Sequence, residues 1–404
     1  MTTDYGLELI EADILYTGMG LPIRNGAVVV SERTIAAAGD AAQLRAQYPQ
    51  ARTGRKVSVI SPPPVNAHAH LDMSDYAFQA LPYFQWIPEV VIAGRAARGL
   101  AGAKRGLESV QASGAAALGD IVWPGTPEVM EWLLSEAGVS GVAYWEVLDP
   151  NPASAGATFE QVVLDVGRFR ELERPGGMRL GLSPHAAHTV SHRLHTLLAD
   201  FARREELPMQ IHVAEHPSEL ELFASGTGPL AESFLRMVNF TTLGLSLAET
   251  LGRAPGPDLT PVSYLADLGV LDARPTLIHM VNVTAADIQL VAQSGCAVVT
   301  CPRSNANLEC GTFRWAEFAA AGVDVALGTD SVASGETLDI HDEFRAARAI
   351  HPELDPRLLV RAAVKGGRRV LSQYGSGQYG LGGTVPFLRR GETWDEQYLW
   401  PERP

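Results

Sequence analysis

From about residue 57 onward the chain repeats one pattern eight times: a short apolar run ending in polar residues, then a longer amphipathic stretch. The runs are "VSVISPPPVNAHAH", "AAALGDIVW", "SGVAYWEVLD", "MRLGLSPH", "PMQIHVAE", "PTLIHM", "CAVVTCPRSN" and "VDVALGTDS". Stretches such as "SHRLHTLLADFARREE" and "TAADIQLVAQSG" read as the helices between them. Alternation of this kind predicts βα units around a parallel sheet. Eight units in about 290 residues is the size of a (β/α)8 TIM-type barrel. Residues 6–60 have a different texture, with short strand-like runs ("GAVVVSE", "TIAAAGD") separated by turn residues. The glycine-rich tail "GSGQYGLGGTVPFLRRG" is strand-like again. The expected architecture is therefore α/β. A barrel spans residues 61–364, beside a small β-sandwich unit built from residues 1–60 and 365–404.

Composition narrows the functional classes. The 404 residues carry 32 basic and 46 acidic side chains, a formal charge of −14, which argues against nucleic acid or an anionic membrane as a partner. No apolar stretch approaches the ~20 residues that span a bilayer. The amino end lacks the basic start and apolar core of a secretory signal. Cys296, Cys301 and Cys310 are odd in number and lack CxxC spacing, so they read as reduced thiols in a cytoplasmic protein. A homodimer is the default expectation for assembly.

In a TIM-type barrel the chemistry gathers at the carboxyl ends of the strands. Here those ends supply His68 and His70, Asp120, Glu146, His185, His212 and Glu215, His279, Arg303 and Asn305, and Asp330. Each has an ordinary explanation by itself, as a satisfied polar group or a helix cap. Their convergence on one barrel mouth does not. His68 and His70, two apart on a strand, share a face. With His212 and Asp330 they form a mixed nitrogen and oxygen set suited to one Zn²⁺ or Fe²⁺ ion with a position open for water. Such an ion lowers the pKa of bound water towards ~7 and so yields hydroxide at neutral pH. Glu215, three residues past His212, is placed to hand a proton to a substrate nitrogen, and His279 to steer the attack from the other side.

With these motifs in hand ("VNAHAHL", "SPH", "HVAEH", "LIHM", "CPRSN", "LGTDSVAS"), the chain resembles the amidohydrolase superfamily over nearly its whole length. Within it, the likeness is to the cytosine deaminase and chlorohydrolase-like group that holds adenosine-type deaminases. The resemblance implies one divalent metal on His68, His70, His212 and Asp330, with catalysis by Glu215, His279 and Asp330. It also implies substrate contacts from His185 and Ser334. The loop after the first strand has Phe84, Trp86 and Arg95 in a pattern similar to the aminodeoxyfutalosine deaminases. Those enzymes deaminate an adenine nucleoside carrying a benzoate, on a route to menaquinone. Arg95 or Arg303 would meet that carboxylate. The open alternatives are deamination of S-adenosylhomocysteine, adenosine, guanine or cytosine, s-triazine hydrolysis, and cyclic amide opening.

Other readings fare worse. The bridging lysine of two-metal relatives is absent, since the three lysines are Lys56, Lys104 and Lys365; Glu146 alone could replace it, or face the substrate. "HVAEH" fits a zinc-protease signature, but Pro208 and Pro217 enclose a β-like run where that signature needs a helix. A non-catalytic scaffold would be expected to have lost ligands, and every ligand position is filled. Departures such as "SPPP" before the first histidines, Gly335 and "HMVNV" bear on which substrate is bound.

Overall fold

The computed structural model describes residues 6–17, 22–31, 34–240, 243–371 and 399–400. All eight apolar runs are strands of one parallel barrel. They are β5 (Asn66–Ala69), β6 (Leu118–Val122), β7 (Gly141–Val147), β8 (Met178–Pro184), β9 (Gln210–Val213), β10 (Thr276–His279), β11 (Val298–Thr300) and β12 (Val325–Leu327). Two four-stranded sheets, β5-β6-β7-β8 and β12-β11-β10-β9, make the wall. Isolated bridges close it on both sides: Ala69 with Asp330 on one, Leu182 with Met209 and Ala186 with His212 on the other.

Alternation sorts the side chains. Val142 and Tyr144 of β7 join Val65, Ala67, Ile121, Ile278, Val299 and Ala326 in the barrel interior. Ala143, Trp145 and Val147 face the surrounding helices with Leu182, Ile211, Val213, Leu277 and Leu327. Burial on both faces is why these strands read as continuous apolar runs rather than alternating ones. Gly141 begins β7 at φ +146°, and a Cβ there would lie 1.8 Å from the Leu118 carbonyl oxygen. Only glycine lets the two strands meet so closely.

One strand run and one domain boundary differ from the sequence expectation. The run "VSVISPPPVNAHAH" is two strands, because Pro62, Pro63 and Pro64 remove the N–H groups a continuous ladder needs. Its first part ends β4 (Arg52–Ile60) in the small amino-terminal unit. There β4 lies parallel to β1 (Glu8–Leu15), which pairs antiparallel with β2 (Ile23–Ser31), itself paired with β3 (Thr34–Asp40). Leu399–Trp400, β13, adds antiparallel to β4. Among the described residues this unit is one five-stranded sheet rather than two facing sheets, with the helix Ala41–Gln47 packed on one face through Ala41 and Leu44. The glycine-rich tail expected to extend it lies outside the described residues.

The second difference is at residue 365. Residues 356–371 are helical. Gly366 and Gly367 fit against Val325 and Val65, and Val370 and Leu371 join the barrel interior. This stretch therefore belongs to the barrel and seals its floor. Among the described residues no helix is long and apolar enough to cross a membrane, and Cys296, Cys301 and Cys310 are free and buried.

Candidate metal centre and active site

The ends of β5, β9 and β12 converge. The His68 ring centroid lies 5.1 Å from that of His70 and 5.0 Å from that of His212, and His70 and His212 stack at 5.5 Å. One ligand atom from each of the three falls within 4.8 Å of the others. Neighbours fix which nitrogen each ring offers. His68 Nδ1 pairs with Gln210 Oε1 at 3.0 Å, so its Nε2 faces the cluster, buried and without a hydrogen-bond partner. His212 Nδ1 donates to the His185 carbonyl at 2.8 Å, freeing Nε2. Burial holds His68 at about 4 and pushes His70 and His212 well down, so all three are neutral, the state in which imidazole binds metal.

Asp330 completes the set. Its Oδ2 accepts from Ser304 Oγ at 2.6 Å and Ser334 Oγ at 2.8 Å. Its Oδ1 is left 3.5 Å from His70 Nε2 and 3.8 Å from His68 Nε2. Burial alone would raise this carboxyl, but at the low pH where it titrates the protonated imidazoles of His70, His279 and His68 outweigh burial and bring it down to about 2, so it is charged at neutral pH. Three neutral nitrogens, one anionic oxygen and an orphaned buried Nε2 fit a divalent ion. Backbone strain collects at the same place: Ala214, His279 and Asp330 have φ of +51°, +69° and +56°. Alternation alone would put His279 on the helix-facing side with Leu277. The left-handed backbone at His279 and Met280 breaks the alternation, and the imidazole lines the central cavity.

Glu215 Oε1 lies 3.6 Å from His279 Nε2. Asn305 Oδ1 accepts from His279 Nδ1 at 2.9 Å, so Nε2 faces the carboxyl group. Glu219 clamps the Glu215 backbone: its carboxylate accepts the N–H groups of Glu215 (2.8 Å) and Ala214 (3.1 Å). Burial pushes the Glu215 carboxyl well up, and the charges of Asp330 and Glu219 push further, while a hydrogen bond with Tyr83 opposes them. A carboxyl so raised keeps a proton it can donate.

His70, His212, Glu215, His279 and Asp330 line a cavity of about 390 Å³, together with Trp86, Arg95, Glu146 and His185 from the sequence reading. Three expected substrate contacts do not reach it. Arg303 is turned away, its guanidinium held by Glu343 (2.7 Å) and Thr337 (2.9 and 2.8 Å). Ser334 is buried against Asp330, which it orients. Phe84 packs edge-on against His216, and its neighbour Tyr83 lines the cavity instead. His216 itself caps the helix Pro217–Ser225 and β9 ends at Val213, so "HVAEH" is not the helix a protease signature requires. Asp120 accepts the Leu71 N–H at 2.8 Å, fixing the chain just past His70.

The sequence reading missed Arg98, Trp123, Tyr83 and Glu219. Arg98 Nε sits 3.1 Å from Asp72 Oδ2, and its guanidinium lies 5.2 Å over the Trp123 ring. The signal available was an acid in "HLDMSD" with no base beside it in sequence.

The sequence pattern of the amidohydrolase family matches residues 59–376. The chain belongs to that family. Residues 26–51 of this amidohydrolase also match the imidazolonepropionase-like composite domain of bacteria. It is 59% identical over 392 residues to the aminodeoxyfutalosine deaminase of Deinococcus radiodurans, covering 97% of this chain and 90% of that one. It is 27% identical to a 5-methylthioadenosine/S-adenosylhomocysteine deaminase of Syntrophobacter fumaroxidans, over 92% and 78% of the two chains. In fold, the amidohydrolase resembles the Helicobacter pylori aminofutalosine deaminase solved with methylthio-coformycin (TM-score 0.72, 18% identity, 97% and 94% covered). It also resembles a zinc-bound adenosine deaminase of Xanthomonas campestris (TM-score 0.66, 23% identity, 95% and 82% covered).

Proposed function

We propose that the chain is a zinc-dependent aminohydrolase that replaces the 6-amino group of a purine nucleoside with oxygen, releasing ammonia, and that its substrate is aminodeoxyfutalosine. The observation that carries the reading is the meeting, at one barrel mouth, of the donor set His68, His70, His212 and Asp330 with the Glu215 carboxyl group 3.6 Å from the His279 imidazole. The 59% identity to the Deinococcus radiodurans deaminase supports the choice of substrate.

His68, His70, His212 and Asp330 would hold the ion, which when bound supplies a water acidified towards ~7. The chain's own groups do the rest. Glu215 gives its proton to the ring nitrogen next to the amino-bearing carbon, drawing electrons away from that carbon. His279 Nε2, its tautomer fixed by Asn305, orients the attacking oxygen, and Asp330 takes up the proton that passes to the departing amine. Trp86, Ile87 and Tyr83 wall the cavity and exclude bulk water. Arg95 lines the cavity and has no carboxylate partner among the described residues, so it is the cation for the benzoate group. Arg98 is already engaged by Asp72.

The test is ammonia release by the zinc-loaded protein from aminodeoxyfutalosine, adenosine, S-adenosylhomocysteine, guanine, cytosine and melamine. Fastest release from aminodeoxyfutalosine is expected. Fastest release from another member overturns the substrate and keeps the site. Silence across the panel with zinc bound overturns deamination itself.

A further inference from the structure

We propose that Glu146 reads the sugar of the nucleoside, its carboxylate accepting hydrogen bonds from both hydroxyls of the ribose cis-diol. The inference rests on the nucleoside reading above and adds a specificity residue to it.

Strand parity puts Glu146 in the cavity. Val142 and Tyr144 point into the barrel, and Glu146 is the next inward position of β7, where the packed interior gives way to the open mouth. The residue is only 4% exposed, so its two oxygens are largely removed from water. A buried carboxyl group needs donors. The nearest imidazole nitrogen, His185 Nε2, is 3.9 Å from Oε1, beyond hydrogen-bond reach. Because the side chain lines the cavity, a ligand that displaces water there can supply them.

Its place around the mouth says which part of the ligand. In strand order the cavity is lined by Glu146 from β7, His185 from β8, His212 from β9 and His279 from β10, with Glu215 beside His279. His185 and His212, 5.2 Å apart, separate Glu146 from the proton-transfer pair. In a 6-aminopurine nucleoside the reacting edge and the sugar-bearing edge lie on opposite sides of the ring system. A base held with its amino-bearing carbon at Glu215 and His279 therefore carries its sugar towards His185 and Glu146. Two coplanar carboxylate oxygens match two hydroxyls on adjacent carbons, each hydroxyl donating to one oxygen.

A second metal ion is the competing occupant, since single donor atoms of Glu146, His185 and His212 also lie within 4.8 Å of one another. His212 argues against it. Its Nδ1 is spent on the His185 carbonyl, and its one free nitrogen faces the histidine cluster. Glu146 and His185 alone would leave such an ion with two protein donors.

The experiment compares kcat/KM for deamination of adenosine, 2′-deoxyadenosine and 3′-deoxyadenosine by zinc-loaded wild type, Glu146→Gln and Glu146→Asp. Wild type is expected to favour adenosine over either deoxy form by about 10- to 100-fold, the effect of one hydrogen bond to a charged group. Glu146→Gln should bring the ratio to within about threefold by slowing adenosine more than either deoxy form, each of which keeps one hydroxyl, and Glu146→Asp should fall between. Equal wild-type rates on all three nucleosides overturn the sugar-reading role without any variant, as does a Glu146→Gln enzyme that keeps the full preference. Equal slowing of all three by Glu146→Gln would instead make the residue part of the chemistry. If no nucleoside is turned over, aminodeoxyfutalosine included, the deaminase reading fails and this inference with it.

Discussion

Replacing Arg303 by methionine tests whether this arginine serves the substrate or the scaffold. Its guanidinium makes one bond to Glu343, two to Thr337 and a longer one to Asp342 at 3.4 Å, and Glu343 also accepts the Arg303 backbone N–H at 2.9 Å. Glu343 is completely buried. Stranding a buried charge costs about 3–5 kcal/mol. Glu343 has an escape, because burial has already raised its carboxyl to about 7 with Arg303 in place. Without the arginine it takes a proton near neutrality, and the loss shrinks towards the four missing side-chain bonds, the longest of them weak, about 2–4 kcal/mol at pH 7. At about 2.1 cal/mol/K per residue, 404 residues give an unfolding entropy near 0.85 kcal/mol/K. The apparent Tm should therefore fall by about 2–5 °C. The pH dependence has a definite sign. A carboxyl whose folded pKa is raised holds a proton that the unfolded chain releases, so stability falls with pH above the unfolded value of 4.5. In wild type that fall ends near 7. In the variant it continues above 7, at up to about 1.4 kcal/mol per pH unit. Thermal melts at pH 7 and 8.5, with KM for the nucleoside, decide it. An unchanged Tm with a tenfold rise in KM would refute the reasoning and return Arg303 to the substrate. The double variant R303M/E343L should recover most of the lost stability.

Glu215→Gln should lower kcat by about 10²- to 10⁴-fold with zinc content unchanged by elemental analysis; near-normal turnover would remove Glu215 from the proton path. His68→Asn should lose zinc, and chelation of wild type should lower Tm by an amount that scales with the logarithm of free zinc on titrating it back. His195, completely buried and held at about 4 by burial, is neutral in the fold. The unfolded chain binds its proton from about 6.5 downward, so stability is full above that pH and lost as pH falls towards 4, about 3 kcal/mol from this group. His195→Leu should flatten the decline in urea midpoint between pH 7.5 and 4.5, and parallel curves would exclude it as the cause.

The barrel was legible because its strands are buried on both faces and punctuated by loops, a pattern that survives in a single sequence. The clustering of the candidate metal ligands was legible for a related reason, since a strand end is a fixed address in a barrel and His68 with His70, His212 and Asp330 occupy three of them. Whether a residue near the mouth looks inward is set by local backbone and by partners far away in sequence. Arg303 follows a strand end as the reading required, yet Glu343, forty residues on, captures it. Ser334 was expected near the site, and in the structure its hydroxyl, four residues past Asp330, donates to that aspartate. Arg98 was invisible because its role depends on Asp72 and Trp123, brought to it by the fold alone. Three prolines hid the break between β4 and β5 inside an apolar run that looked continuous.

The barrel wall has two seams, and both pass through the proposed centre. One joins Ala69 to Asp330, with the Asp330 N–H on the His68 carbonyl at 3.1 Å, and the other sets the His212 N–H on the His185 carbonyl at 3.0 Å. The front half of the polypeptide brings His68, His70, Glu146 and His185, and the back half brings His212, Glu215, His279 and Asp330. An ion on the four ligands would rivet one half to the other across the joints where the ladder is thinnest. A polypeptide cut between β8 and β9 should thus come back together as two fragments with zinc and drift apart without it, so that the ion reports the closing of the ring as directly as it serves the chemistry.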